Sequence, residues 1–160
     1  MTTSKSKENK SREPVIENRK ARFEFTVLEK LEAGVVLKGS EVKSIREGGL
    51  ELKESFVFAK KDALYLEGAY IKPYGYQGKM PLEAVRTRKL LLHKREIAKL
   101  GAEIQQAGMA IVPLKAYFKN GRVKLELGLG KGKKGADKRE SIKKREVDRN
   151  LQRINKTHRK

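Results

Sequence analysis

The chain has 160 residues, 38% apolar and 37% charged, with no cysteine, and its 39 Lys and Arg against 20 Asp and Glu give a formal charge of +19. The composition excludes a disulfide framework and a thiolate zinc site, and no apolar run approaches the ~18 residues of a membrane-spanning helix. An excess of positive charge on this scale points to a polyanionic partner, because each neutralised phosphate releases counterions.

The length suits one domain with a single core. The charge is unevenly spread: residues 1–22 carry net +4, residues 23–130 net +6 and residues 131–160 net +9. The expected organisation is a disordered basic arm over 1–13, a folded core over 14–130 and a basic tail over 131–160 that is disordered when free. The start Met-Thr-Thr-Ser-Lys-Ser-Lys lacks the apolar stretch of a signal peptide, so a cytoplasmic location is expected.

In chain order, Phe23, Phe25 and Val27, followed by either Leu28 or Leu31, open a period-two pattern that predicts a strand, with Gly34 allowing a bend before Val35-Val36-Leu37. Ser40 is placed to cap a short helix through Arg46, stopped by Gly48-Gly49. Ser55–Ala59 and Ala63–Leu66 flank a turn at Lys60-Lys61-Asp62 and predict a hairpin, whose second strand is continued through Ala69-Tyr70-Ile71 to Pro73. Residues 74–84, with Gly75, Gly78 and Pro81, read as an exposed loop. Lys89–Leu92 reads as a short buried strand. His93 and Glu96 have capping-box spacing ahead of a helical face of Ile97, Leu100, Ile104 and Ala107, ended by Gly108. Met109–Phe118 and Arg122–Leu129 flank Asn120-Gly121, the strongest hairpin signal in the chain.

About seven short strands with two helices predict a mainly β fold, an OB-fold-like small barrel. In the tail, Val147, Leu151 and Ile154 fall within about 60° of one helical face. That stripe is too thin to fold alone and suits a helix that forms on a partner.

Catalysis has little support. His93 and His158 are the only histidines, and neither has metal-ligand spacing with the other. No G-x-S-x-G occurs, and the glycine-lysine stretch Gly128–Gly135 does not fit a phosphate-binding loop. No enzyme activity, cofactor or metal is expected. The basic clusters carry more: Arg19, Lys20 and Arg22 before the first strand, and Arg86, Arg88 and Lys89 before the Leu90 strand, can converge on one rim of a barrel and track a phosphate backbone. Tyr70, Tyr74 and Tyr76 are either base-stacking rings or half-buried barrel positions.

The segments Asn18–Arg22, Glu32–Arg46, Arg86–His93 and Gly130–Lys134 with Asp137-Lys138-Arg139 also resemble the SsrA-binding protein family, in the expected order and over roughly residues 14–146. The resemblance implies an OB-fold barrel with attached helices that binds the tRNA-like domain of tmRNA and delivers it to stalled ribosomes. It implies an RNA surface of Asn18, Arg19, Arg22, Glu32, Lys38, Glu41, Lys43, Leu91 and His93, to which the basic cluster adds Arg86, Arg88 and Lys89. Gly132, Lys133, Lys134, Asp137, Lys138, Arg139 and Lys143 would form a ribosome-facing tail, helical in the empty mRNA channel and at the decoding centre. Ala136 stands where many family members carry histidine or another ring, His93 where some have asparagine, and Val147 where some have tryptophan. The partners so implied are tmRNA and the ribosome, with no membrane, and the chain is expected to act as a monomer. The alternatives are a ribosomal protein or general RNA chaperone and, more distantly, an RNA-modifying enzyme.

Overall fold

The hairpin at Asn120-Gly121 organises the barrel. Both residues have positive φ, 52° and 74°, the left-handed conformation that a two-residue turn needs to match the twist of its flanking strands. They join β8 (Met109–Lys119) to β9 (Arg122–Gly132), two eleven-residue strands paired over nearly their full length. The computed structural model describes residues 13–75 and 83–157. The arm expected over 1–13 lies, apart from Glu13, outside the described residues, as does most of the expected loop at 74–84.

Among the described residues there are nine strands and four helices. The remaining elements are β1 (Ile16–Glu17), α1 (Arg19–Glu24), β2 (Phe25–Val35), α2 (Gly39–Arg46), β3 (Leu50–Glu51), β4 (Phe56–Lys60), β5 (Ala63–Glu67), β6 (Tyr70–Ile71), β7 (Arg88–Leu91), α3 (Lys94–Glu103) and α4 (Gly135–Thr157). The strands pair in the order β8-β4-β5-β7-β2-β9, and β9 pairs back onto β8. The sheet therefore closes into a six-stranded antiparallel barrel, which removes its edges. β1 adds to β8 beside β4, and β3 pairs with β6 in a small separate sheet.

Inward positions fill the barrel with Ala33, Val57, Leu64, Leu66, Leu90, Ile111, Leu125, Leu127 and Leu129, and Leu100 of α3 and Ile45 of α2 join this core. A second, smaller core lies outside the barrel wall, where Ala21 of α1 meets Val112 and Leu114. Gly128 and Gly130 make that packing possible: a Cβ on Gly128 would stand 2.9 Å from Leu114 Cδ1, and one on Gly130 would stand 2.8 Å from the Thr26 carbonyl oxygen.

The mainly β barrel agrees with the sequence expectation, with four helices in place of two. Several local expectations are corrected. Phe23 belongs to α1, not to the first strand, because the Asn18 side chain caps a helix there by accepting from Ala21 N–H at 3.1 Å. Leu31, not Leu28, continues the strand; Leu28 sits at a bulge and is exposed. Gly34 lies within β2 and does not bend it out of the sheet. The cap of α2 is Lys38, not Ser40, with the Glu41 carboxylate accepting from Lys38 N–H at 2.9 Å. Gly68, at φ 80°, ends β5, so Tyr70–Ile71 forms a separate strand. His93 and Glu96 do cap α3, but this helix ends at Glu103, leaving Ala107 outside it and exposed.

The strand β9 takes Lys131 and Gly132, which the sequence assigns to the tail. From Gly135 the chain is one 23-residue helix. The approach to this helix and its third turn are tied to α1: Lys133 N–H donates to the Glu24 carbonyl at 2.8 Å, and the Arg145 guanidinium lies over the Phe23 ring at 5.2 Å.

Candidate nucleic-acid interface

Alternation along β2, β9 and β8 sends one set of side chains into the barrel and the other onto its outer wall. On that wall Glu32, Glu126 and Lys115 lie side by side across three strands. Each carboxylate gathers cations. Glu126 has Lys115 at 3.6 Å, Lys30 at 3.7 Å and Arg22 at 4.0 Å, and its Oε2 is buried with no hydrogen-bond partner among the described residues. Glu32 accepts from the Tyr117 hydroxyl and from Lys119 Nζ at 3.2 Å. Lys115 Nζ in turn stands 5.7 Å from the Tyr117 ring centroid.

This network fixes ionisation as well as position. Hydrogen bonds from Tyr117 and then Lys119 hold the Glu32 carboxyl below its ordinary range. Burial, and then the bond to Glu32, push the Tyr117 phenol up to about 12. The wall thus presents a half-exposed carboxylate whose orientation is set by a neutral phenol and an ammonium. Glu32 can accept from base amino groups while its neighbours face phosphates.

The wall continues to β7. Gly34 pairs with Leu91, and a Cβ on Gly34 would stand 3.2 Å from Leu91 Cβ. The exposed Leu91 helps line a cleft of about 230 Å³ with Leu37, Val42, Arg122 and Lys124. Arg19, Lys38, Lys43 and His93 are exposed, Lys43 with its ammonium 5.7 Å from the Tyr74 ring centroid. Of the three tyrosines, Tyr70 is exposed, Tyr74 is half-buried, and Tyr76 lies outside the described residues.

Three of the residues expected on the RNA surface are instead buried. Asn18 is 3% exposed and donates to the carbonyls of Leu52 at 2.8 Å and Pro113 at 2.9 Å. Arg88, 1% exposed, points into the barrel. Its Nε donates to Glu41 at 2.8 Å, and its other nitrogens donate to the carbonyls of Ala69 at 2.9 Å, Arg86 at 3.0 Å and Ala84 at 3.2 Å. Glu41, 4% exposed, also accepts from Arg86. Burial would raise the Glu41 carboxyl, but the bonds from Arg86, the Lys38 backbone and Arg88 outweigh it and hold it low. These hydrogen bonds tie the start of α1 to the barrel and hold the barrel end in shape. Of the basic cluster, Lys89 is exposed while Arg86 is engaged with Glu41.

Sequence reasoning did not single out Glu126, Lys30, Lys115, Tyr117, Lys119 or Lys124. The alternating polar positions of β2, β8 and β9 are the signal that could have found them. In the tail, Gly132, Lys134, Asp137, Arg139 and Lys143 are exposed, whereas Lys133 is half-buried with its Nζ 3.1 Å from Ser141 Oγ, and Lys138 is half-buried. Among the described residues no group of histidine and acidic side chains could hold a metal ion, and no helix is long and apolar enough to cross a membrane.

A small closed barrel with a cation-rich outer wall and a basic helix attached beside it defines a class: a barrel protein suited to a polyanion. Comparison with known proteins makes it specific. A family model described as SmpB protein matches residues 15–157. The SsrA-binding protein of Chlorobium luteolum is 49% identical over 155 residues, covering 96% of this chain and 99% of its own. That of Syntrophobacter fumaroxidans is 45% identical over 159 residues, covering 99% of each. A solved structure described as "tmRNA-SmpB: a journey to the center of the bacterial ribosome" is similar with a TM-score of 0.66 at 44% identity, covering 81% of this chain and 94% of that one. The chain belongs to the SsrA-binding protein family.

Proposed function

We propose that this protein binds the tRNA-like domain of tmRNA on the outer wall of β2, β9 and β8 and carries it to stalled ribosomes. The observation that carries the reading is the Glu32–Tyr117–Lys119 and Glu126–Arg22–Lys30–Lys115 network, a rigid patch of cations around two fixed carboxylates. Structured RNA is recognised by shape, backbone and splayed bases, and such a wall offers both phosphate contacts and an acceptor for base amino groups. The names of the relatives support the same reading.

The RNA-facing set is Arg19, Arg22, Glu32, Lys38, Lys43, Lys89, Leu91 and His93 with Lys30, Lys115 and Lys124, and Asn18, Glu41, Arg86 and Arg88 act by shaping the barrel behind it. Residues 14–132 form the RNA-holding unit. Gly132 at the end of that unit and the segment beyond it, with Lys133, Lys134, Asp137, Lys138, Arg139 and Lys143 at its start, face the ribosome, and the helix places Val147, Leu151 and Ile154 along one side. The protein acts in the cytoplasm, in step with its soluble RNA partners, and performs binding and delivery without catalysis. The test is the RNA that co-purifies with the tagged protein from its own host. One dominant tmRNA band is expected; a mixture of ribosomal or messenger RNA without that band would favour a general RNA chaperone.

A further inference from the structure

The barrel has a second outer face of which the reading above uses only Lys89, on the strand between the two walls. Going round the six-stranded ring, β5 lies three strands from β9 in either direction, so the wall centred on β4 and β5 points away from the wall that carries Glu32 and Glu126. Its side chains are aromatic. Phe58 and Tyr65 are directly paired across β4 and β5, with ring centroids 5.6 Å apart and planes 22° from parallel. Phe56 follows at 6.4 Å from Phe58 and is 48% exposed.

Outward-facing rings cost free energy in water unless something covers them. Lys89 pairs with Tyr65 on the far side, and Lys60 and Lys61 stand at the end of the ladder. The acids nearby are Glu67, which accepts from the Thr87 hydroxyl, and Asp62 at the turn. A row of rings bordered by ammonium groups is the composition that takes unpaired bases by stacking while cations track the backbone.

We propose that the Phe56–Phe58–Tyr65 ladder is a second RNA site that stacks unpaired bases and works at the same time as the first. The protein then bridges two RNA segments, a structured one on the β2–β9–β8 wall and a single-stranded one on the β4–β5 wall. This goes beyond the function proposed above and does not need the first RNA to be tmRNA.

The test uses the full chain, a short oligouridylate and a structured tRNA-like RNA. Ultraviolet crosslinking of the wild-type protein to the oligouridylate should label Phe56, Phe58 or Tyr65, and should do so equally after the protein is saturated with the structured RNA. Phe56→Ser combined with Phe58→Leu, which keeps an apolar side chain in the half-buried position, should weaken oligouridylate binding about tenfold and change structured-RNA binding by less than about twofold. Crosslinks confined to the β2–β9–β8 wall, loss of oligouridylate binding on saturation, or an unchanged affinity in the double variant would each overturn the second site. Because the crosslinks are read on the wild-type chain, a variant that fails to fold still leaves the proposal decidable.

Discussion

Removing Arg88 should unfold the barrel end and not merely weaken RNA binding. Its guanidinium ties Glu41 of α2 to the carbonyls of Ala69, just before β6, and Ala84, between β6 and β7. Arg88→Ala leaves the Glu41 carboxylate 4% exposed with only Arg86 and the Lys38 N–H beside it, and strips one buried and two part-buried carbonyls of a donor. Breaking a buried pair from one side costs about 3–5 kcal/mol, which in a chain of this size lowers the melting temperature by roughly 10 °C. Arg88→Lys keeps the charge but loses the planar fork and should fall between the two. Glu41 adds a pH dependence. Its folded value is depressed, so its contribution is complete above the unfolded carboxylate range and is lost as the pH falls through the folded value; Glu41→Gln should remove that part of the acid sensitivity. Circular-dichroism melts across pH, run beside RNA titrations, provide the assay. An Arg88→Ala protein that melts like the wild type but no longer binds RNA would put the guanidinium at the RNA and refute the buried-pair reasoning.

Three further outcomes are expected. Tyr117, one of five tyrosines, should form tyrosinate only near 12, seen by ultraviolet difference absorbance. Because its folded value is raised, its contribution to stability is complete below the unfolded value and is lost as the pH climbs toward 12, and Glu32→Gln should bring the titration down. Glu32→Ala should weaken binding of the tRNA-like RNA while the barrel stays folded; equal affinity would make Glu32 a purely structural partner of Tyr117 and Lys119. RNA affinity should fall steeply with salt, and Arg22→Ala should reduce the log–log slope by about 0.7–0.9, the contribution of one phosphate.

The sequence was most legible where a feature is decided locally. Asn120-Gly121 and the His93–Glu96 box both need only neighbours a few residues apart, and both stand where the pattern puts them. It was least legible where distant residues decide. Phe23, Phe25 and Val27 alternate as in a strand, but Asn18 starts a helix because its amide finds carbonyls 34 and 95 residues away, at Leu52 and Pro113. Arg88 looks like its exposed neighbours in sequence; a carboxylate 47 residues earlier draws it inside. The family resemblance pointed to Glu32 and Leu91, which the fold does bring to one wall through Gly34. It also pointed to Asn18 and Glu41, and the basic cluster to Arg88, and the fold buries all three. Glu126, Lys30 and Lys115 became visible only once the registry of β2, β9 and β8 set them on one wall.

The division of labour between barrel and tail is the centre of the account. The strand β9 ends at Gly132, and every residue from Ile142 to Lys156 is exposed, so a chain ending at Lys134 keeps the barrel and its cationic wall intact. The direct measurement compares that truncated chain with the full chain in two assays, binding of the tRNA-like domain of tmRNA and peptidyl transfer to tmRNA on stalled ribosomes. The account predicts an unchanged melt, RNA affinity reduced only by the lost non-specific charge, and no peptidyl transfer. Equal loss in both assays, or no loss in either, would contradict it.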